Sequence, residues 1–202
     1  MRGTPMPVAT LHAPSVSFSG GLVVLGGVNG SSSTSAVWRY ELSPTGGKWS
    51  SLPSMLASLT AHAVVATSSR IYVFGGVDAS TAAPTAAVSY FDGKMWQKCS
   101  PAPLGPFSSA SAAPLSDNEI YILGGSTPAF PTASSVLHMY YTETDTWNTI
   151  SRAPYATLSP FLFTLPNGQL LVTAGDAAKP GDSPSPSNQT LIYNPNTTSW
   201  TQ

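Results

Sequence analysis

The sequence predicts an all-β protein in which four four-stranded antiparallel sheets stack around an axis, the arrangement of a β-propeller. Three observations predict it. A pair of small residues, mostly two glycines, recurs every 49 or 50 residues; each pair follows a short apolar run; and each is followed by a tyrosine and then a tryptophan. No stretch of ten residues shows the apolar period of an amphipathic helix. Because one sheet of short strands cannot cover its own apolar faces, neighbouring sheets must stack.

The repeat is marked first by its paired small residues, which are Gly26-Gly27, Gly75-Gly76, Gly124-Gly125 and the variant Ala174-Gly175. The aromatic residues that follow are Tyr40 and Trp49, Tyr90 and Trp96, Tyr141 and Trp147, and Tyr193 and Trp200. Adjacent glycines at a strand end allow positive φ and a close backbone approach. Tyrosine and tryptophan bring large apolar area and one polar hydrogen. We therefore interpret all of these residues as structural.

Within each period, short runs rich in Val, Ile, Tyr and Phe alternate with clusters of Gly, Pro, Asn, Asp and Ser, a pattern typical of strands and turns. In the second repeat the predicted strands are 61–67, 70–76, 86–91 and 95–99. The same four strands are expected in the other repeats. The chain is predicted to be a single domain of residues 1–202, with repeats at roughly 8–54, 55–103, 104–154 and 155–202.

The pattern resembles the kelch family, whose repeat of about 50 residues carries a double glycine after an apolar strand and then a spaced Tyr and Trp. The resemblance covers nearly the whole chain. It is most specific at Ile71-Tyr72-Val73-Phe74-Gly75-Gly76 and Ile120-Tyr121-Ile122-Leu123-Gly124-Gly125. The first repeat departs in the wider spacing of Tyr40 and Trp49, and the fourth in Ala174. The resemblance implies a kelch-type β-propeller, similar to the central domain of galactose oxidase.

Four repeats are few for this family, whose propellers more often have five to seven blades. We therefore expect an incomplete or open array. Three explanations compete: the chain is part of a larger propeller, it pairs with itself or with another chain, or it closes as a strained four-bladed ring. The first is favoured. An open array leaves apolar faces uncovered at both ends, and such surfaces are typical of interfaces.

Composition excludes several function classes. Eight Lys and Arg against nine Asp and Glu give a net charge of -1, which argues against binding to nucleic acid. Cys99 is the single cysteine, and the three histidines lack zinc-site spacing, so no metal site is predicted. No apolar run approaches the roughly 18 residues of a membrane span. Two prolines among the first seven residues argue against a signal peptide, so either the chain is intracellular or its targeting segment lies outside this sequence.

In such a sheet, the loops between the second and third strands emerge on the same face as the connections between repeats. Here the longer loops of this face are 28–35, 77–85, 126–135 and 176–189, and the connections are 54–60, 100–108 and 151–158. Loops on a rigid scaffold often carry function. The candidate binding residues on this face are Asn29, Asp78, Phe107, Phe130, Arg152, Tyr155 and Asp176. The longest loop, 176–187, is rich in Pro and Ser, and we interpret it as a tolerated insertion.

An enzyme is the alternative class. The resemblance includes copper oxidases and sugar-processing epimerases, but Cys99 falls on an outer strand, far from the axis where copper ligands would converge. His12 and His62, predicted on the innermost strands, are expected to pack or to line a channel. No Gly-x-Ser-x-Gly motif marks a nucleophile. A secreted structural module is a third alternative, for which Asn29, Asn188 and Asn196 match the N-glycosylation pattern.

The leading hypothesis is a non-catalytic scaffold that binds another protein or a peptide through the face carrying the long loops. No cofactor is expected. Self-association through exposed end blades is also open. The discriminating observation is whether two or more charged or histidine side chains converge in one axial pocket, which would favour the enzyme.

Overall fold

The computed structural model of the chain describes residues 4–44, 46–173, 175–178 and 182–202. Ala174, predicted as the variant of the paired glycines, lies outside the described residues. The same holds for residues 179–181 of the long fourth-repeat loop. Regular secondary structure in the described part is entirely β, and no helix there is long and apolar enough to cross a membrane.

The strands follow one another in four groups. The first group is β1 Ser15–Phe18, β2 Gly21–Leu25, β3 Val28–Asn29, β4 Ser32–Ser33, β5 Val37–Ser43 and β6 Gly46–Leu52. The second is β7 Leu59–Thr60, β8 Ala63–Ala66, β9 Ile71–Phe74, β10 Val77–Asp78, β11 Ala83–Pro84, β12 Val88–Phe91 and β13 Trp96–Lys98. The third is β14 Ser108–Pro114, β15 Glu119–Ser126, β16 Ser134–Tyr141 and β17 Thr146–Leu158. The fourth is β18 Phe161–Thr164, β19 Leu170–Thr173, β20 Asp176–Ala178, β21 Ser185–Pro186, β22 Thr190–Asn194 and β23 Ser199–Thr201.

Four antiparallel sheets form the blades of a propeller. Their strand orders are β1-β2-β5-β6 in blade 1, β8-β9-β12-β13 in blade 2, β14-β15-β16-β17 in blade 3 and β18-β19-β22-β23 in blade 4. In each blade the first strand is innermost, since β1 lies against β8, β8 against β14, and β14 against β18. The prediction of four four-stranded blades is confirmed. In the second repeat each strand is shorter than predicted, because the paired glycines and the flanking polar residues fall outside the ladders.

Three apolar clusters hold the four blades together, one at each junction between consecutive blades. The junction of blades 1 and 2 buries Val23, Leu25, Ile71, Val73 and Phe91. The next junction buries Tyr72, Phe74, Ile120, Ile122 and Tyr140, and the last buries Tyr121, Leu123, Leu170, Val172 and Tyr193. Among the described residues no such cluster joins blade 4 to blade 1. The propeller is therefore an open array with two end faces.

The paired glycines let each blade approach its neighbours closely. Gly76 has a φ of 98°, and a Cβ there would lie 2.7 Å from the Cβ of His62 and 2.8 Å from the carbonyl oxygen of Thr60. Its N–H donates to the carbonyl of Phe107 at 2.8 Å, in the connection to blade 3. Gly27 makes the equivalent bond to Leu59 at 3.1 Å. The pairs therefore act as scaffold, because any side chain would separate the backbones.

The aromatic position of the repeat needs a correction in blades 2 and 3. The residues that stand opposite the tryptophans are Tyr40, Phe91, Tyr140 and Tyr193, which pair with Trp49, Trp96, Trp147 and Trp200. Tyr90 and Tyr141, which the sequence pattern takes as the repeat tyrosines of these two blades, lie one residue away. Since side chains alternate between the faces of a strand, that single step turns both tyrosines to the opposite side of their blades.

A left-handed residue lies at the start of the innermost strand of every blade or shortly before it. These residues are His12, Ala61, Ser109 and Ser159, with φ between 50° and 58°. Ser109 donates its N–H to the carbonyl of Ala61, and Ser159 to that of Ser109, each at 2.8 Å. His12 and His62, predicted on the innermost strands, lie just before β1 and β8 instead. The left-handed residue and its neighbour turn the chain from the connection into the strand.

Candidate functional site

The face that carries the long loops is more ordered than the sequence predicts. Its loops form short hairpins that are bonded to the connection entering the same blade. In blade 2, β10 lies between β7 and β11 in a three-stranded sheet, and in blade 4, β20 pairs with the end of β17. In blade 1, β3 pairs with β4 and also bridges to Leu11. We call this surface the loop face. Backbone hydrogen bonds hold its segments on the rigid blades.

The seven candidate residues differ in accessibility. Asn29 and Arg152 are exposed, and Asp78, Phe130, Tyr155 and Asp176 are half-buried. These residues belong to different blades and do not form one cluster. Phe130 and Arg152 form a pair, whereas Asp78 and Tyr155 border separate grooves.

Phe130 and Arg152 form one such pair. Phe130 closes a turn with Thr127 through two backbone hydrogen bonds of 3.0 and 3.1 Å, in the loop between β15 and β16. The guanidinium carbon of Arg152, on β17, lies 5.4 Å from the centroid of the Phe130 ring. A cation over an aromatic face is attracted by the ring quadrupole. The pair therefore presents a flat apolar surface next to a positive charge, both reachable from solvent.

Asp78 lies at the edge of a groove between blade 2 and the connection 54–60 that enters it. Its carboxylate accepts the N–H and hydroxyl of Ser80 at 2.8 and 2.7 Å, and these bonds lower the pKa of Asp78. The groove has a cavity of about 380 Å³, lined among others by Met55, Leu56 and Lys98. Leu56 is exposed despite being a large apolar residue. An apolar floor with an acid and a base at its margin suits a peptide side chain.

Sequence reasoning missed Leu56 and Lys98. Leu56 lies in the connection 54–60, which was assigned to this face, so an apolar residue inside an otherwise polar connection was the available signal. Lys98 carried no such signal. It lies on the outer strand β13, and only the folding of blade 2 against its own connection brings it to the same groove as Asp78.

Phe107 does not belong to the loop face, which corrects the prediction. It is fully buried and packs in the cluster between blades 2 and 3. Its carbonyl accepts the Gly76 N–H, and its ring fills the space above Gly75. Because both its backbone and its ring are engaged, a partner on this surface does not reach it.

Tyr155 and Asp176 lie on the fourth-blade side of the loop face. Asp176 stands opposite Leu158 where β20 pairs with β17. The hydroxyl of Tyr155 donates to the side-chain oxygen of Gln202 at 3.4 Å. Tyr155 also borders a polar groove with Asn188 and Gln189. This side therefore offers hydrogen-bonding groups rather than an apolar anchor.

The axis holds a cavity of about 720 Å³ to which all four blades contribute. Its described lining is mainly apolar or small and includes His12, His62, Pro160 and Phe161, with no carboxylate, lysine or arginine. His62 is buried, and neither ring nitrogen has a hydrogen-bond partner among the residues that the structure describes. Burial lowers the pKa of His62 to about 4, more than the nearby Leu25 backbone raises it. The described residues include no cluster of three His, Cys, Asp or Glu side chains that could hold a metal ion.

Comparison with known proteins agrees with the repeat. A family model described as the kelch motif matches residues 9–56 and 109–154, which cover most of the first and third repeats. The solved structure of YjhT, a kelch-type propeller, superposes on 97% of this chain and 69% of its own, with a TM-score of 0.78 at 14% sequence identity. The chain therefore contains kelch motifs, and its fold is like that of a propeller.

A curated relative carries the same repeat. An F-box/kelch-repeat protein of Arabidopsis thaliana is 35% identical over 97 residues, which make up 47% of this chain and 20% of that protein. The chain therefore spans about a fifth of the length of that relative. Kelch repeats are commonly protein-interaction scaffolds.

Proposed function

We propose that this protein is a non-catalytic kelch-repeat scaffold that binds another protein or a peptide through its loop face. The observation that carries the proposal is the attachment of the loop hairpins to the connections, as in β7-β10-β11 and β17-β20. Binding surfaces gain affinity when their loops are already held in place, because less conformational entropy is lost on association.

Two features of the loop face suit a peptide partner. The groove at Asp78 takes an apolar side chain against Leu56 and Met55, and the carboxylate beside it favours a basic neighbour on the partner. The exposed Arg152 on the Phe130 ring offers a second contact, for an acidic or aromatic group. Aromatic and arginine residues are enriched among the residues that dominate binding energy.

The axial cavity supports the scaffold over the enzyme. Only His12 and His62 bring titratable side chains to its described lining, and both His62 nitrogens are shielded from solvent without a partner. General acid–base chemistry needs groups within hydrogen-bond reach of a substrate.

Site-specific photo-crosslinking tests the proposal. A photoreactive phenylalanine analogue is introduced at Asn29 or Arg152 on the loop face, and at Lys94 in the turn between β12 and β13 on the opposite face as the matched control. All three positions are exposed. We expect discrete crosslinked species in cells from the two loop-face positions and not from Lys94. Equal crosslinking from all three positions, or crosslinking from Lys94 alone, contradicts the proposal.

A further inference from the structure

Blades 1 and 4 each keep one face uncovered. The blade-4 end face consists of Phe161, Phe163, Leu171, Thr173 and Ile192, whose strand neighbours point into the junction with blade 3. Phe161 and Phe163 are 56% and 49% exposed, and their rings stack with centroids 6.3 Å apart. Two exposed, stacked phenylalanines on a strand near the axis indicate a surface that a partner covers.

The blade-1 end face is the opposite kind of surface. It consists of Ser15, Ser17, Leu22, Val24, Trp38 and Tyr40, whose strand neighbours point into the junction with blade 2. At each internal junction, one blade packs through the face that is equivalent to the uncovered face of blade 4. The next blade packs against it through the face that is equivalent to the uncovered face of blade 1. The two end faces are thus the two halves of a junction that already occurs three times in the chain.

Side-chain size on the innermost strands matches the same pairing. Strand alternation gives the residues of the innermost strands that face one another at each internal junction. Between blades 1 and 2 they are Pro14 and Val16 with Val64 and Ala66. Between blades 2 and 3 they are Ala63 and Val65 with Ala112 and Pro114, and between blades 3 and 4 they are Ser111 and Ala113 with Leu162 and Thr164. At the last junction the small Ser111 and Ala113 meet the larger Leu162 and Thr164. The unpaired sets are Phe161 and Phe163 in blade 4, and Ser15 and Ser17 in blade 1. Taken as pairs, Phe161 and Phe163 are larger than the equivalent residues of blades 1 to 3, and Ser15 and Ser17 are smaller than the equivalent residues of blades 2 to 4, so the two sets complement each other in volume.

The segment before blade 1 leaves these serines accessible. Trp49 donates its indole N–H to the carbonyl of Thr4 at 3.0 Å, just as Trp96 donates to Pro53 at 2.8 Å. Thr4 precedes Pro53 by 49 residues, one repeat period. The segment at Thr4 therefore contacts the outer strand of blade 1 in the way that the end of blade 1, at Pro53, contacts the outer strand of blade 2. It does not cover the inner strand β1, where Ser15 and Ser17 are exposed.

We propose that blade 4 of one copy docks on blade 1 of a second copy, with Phe161 and Phe163 packed over Ser15 and Ser17. The contact is head-to-tail, so two copies close into a ring when both junctions form. Two copies supply eight blades, which is within the range of about four to eight seen in propellers. This surface is distinct from the loop face and does not depend on its function.

Light scattering after size exclusion tests the contact. The full chain is expected at about twice its 20.9 kDa mass. The Phe161→Ser/Phe163→Ser variant is expected to be monomeric, with self-association weakened at least about tenfold because two apolar anchors are lost. Both rings are half-exposed in the single chain, so the far-ultraviolet circular dichroism is expected to stay unchanged. Met95→Ser is the matched control, since Met95 is 58% exposed in the turn between β12 and β13 of an internal blade and lies on neither end face.

A mixing experiment distinguishes head-to-tail docking from other dimers. The Ser15→Arg/Ser17→Arg variant damages only the blade-1 end face and is expected to be monomeric by itself. A mixture with Phe161→Ser/Phe163→Ser contains one intact junction and is expected to form a heterodimer. A monomeric wild-type chain overturns the proposal and points to further blades as the cover, in keeping with the part of YjhT that this chain does not span. A dimer that survives Phe161→Ser/Phe163→Ser, or two monomeric variants that fail to associate, also overturns it.

Discussion

The indole N–H of Trp96 donates to the backbone carbonyl of Pro53 at 2.8 Å, which ties the outer strand of blade 2 to the end of blade 1. Trp200 makes the equivalent bond to the hydroxyl of Ser151 at 3.1 Å, between blades 4 and 3. Trp147, in the same repeat position, has a buried indole nitrogen without a partner. The tryptophan of the repeat thus makes a hydrogen bond to the preceding blade from blades 2 and 4 but not from blade 3.

Trp96→Phe is expected to lower the free energy of unfolding by about 1 kcal/mol more than Trp147→Phe. Both substitutions remove the same volume, but only the first breaks a hydrogen bond and strands a carbonyl. Urea unfolding of the two variants measures the difference. Equal losses would mean that the tryptophans act through packing alone.

Gly76→Ala is expected to cost about 3 kcal/mol or more, since it adds steric overlap to left-handed strain. Its new Cβ would lie 2.7 Å from the Cβ of His62 and 2.8 Å from the Thr60 carbonyl. Gly93→Ala is the matched control: its φ of 93° is close to the 98° of Gly76, but nothing lies within 4 Å of the Cβ position. It is expected to cost only about 1 kcal/mol. Thermal unfolding compares them, and similar costs would contradict the role assigned to close blade approach.

Tyr140→Phe is expected to lower the free energy of unfolding by about 1.5–3 kcal/mol, because its hydroxyl donates to the Asp145 carboxylate at 2.6 Å. Tyr193→Phe removes the hydroxyl at the same repeat position, where it is buried without a partner, and is expected to be neutral or stabilising. Chemical unfolding of both variants tests the contrast. A larger loss from Tyr193→Phe would show that its hydroxyl is satisfied in solution.

Acid is expected to destabilise the fold through His62. Burial lowers the pKa of His62 from 6.5 to about 4, so the unfolded chain binds a proton in that range that the folded chain excludes. Stability is therefore complete above pH 6.5 and falls by up to about 3 kcal/mol on acidification to pH 4. His138 adds to this in the same direction, because burial and the charge of Arg152 lower its pKa.

The His62→Gln variant measures the contribution of His62. Its free energy of unfolding is expected to depend much less on pH between 6.5 and 4 than that of the wild type. An unchanged pH profile would show that His62 is hydrated in the folded protein. Asp145 contributes mainly below this range: burial opposes its charge, but the bonds from Tyr140 and Ser100 outweigh burial and lower its pKa below the ordinary 3.8.

The repeat made most of the fold predictable. Paired glycines after apolar runs gave the blade count, because close backbone approach requires glycine wherever blades stack. The aromatic position could not be read correctly where two aromatics are adjacent, as at Tyr90-Phe91 and Tyr140-Tyr141. Spacing in the sequence does not say which of the two faces the tryptophan, since the answer depends on strand register.

The candidate site was less predictable than the fold. A loop position says which end of the blades a residue occupies but not whether its side chain turns inward, and Phe107 turns inward to fill the space over Gly75. The groove beside Asp78 combines residues that are far apart in sequence, Leu56 in the connection and Lys98 on the outer strand of blade 2. Only the packing of the connection against the folded blade brings those residues together.

The backbone bonds that link Ala61, Ser109 and Ser159 near the axis make each blade depend on its immediate neighbours. Blades 2 and 3 have a neighbour on both sides, whereas blades 1 and 4 have one each. A linear array with nearest-neighbour coupling unfolds from its ends inward. In the monomeric Phe161→Ser/Phe163→Ser variant, whose end faces stay free, amide protons of β9 and β15 should therefore exchange with solvent more slowly than those of β2 and β19, although all four strands have the same place in their repeats.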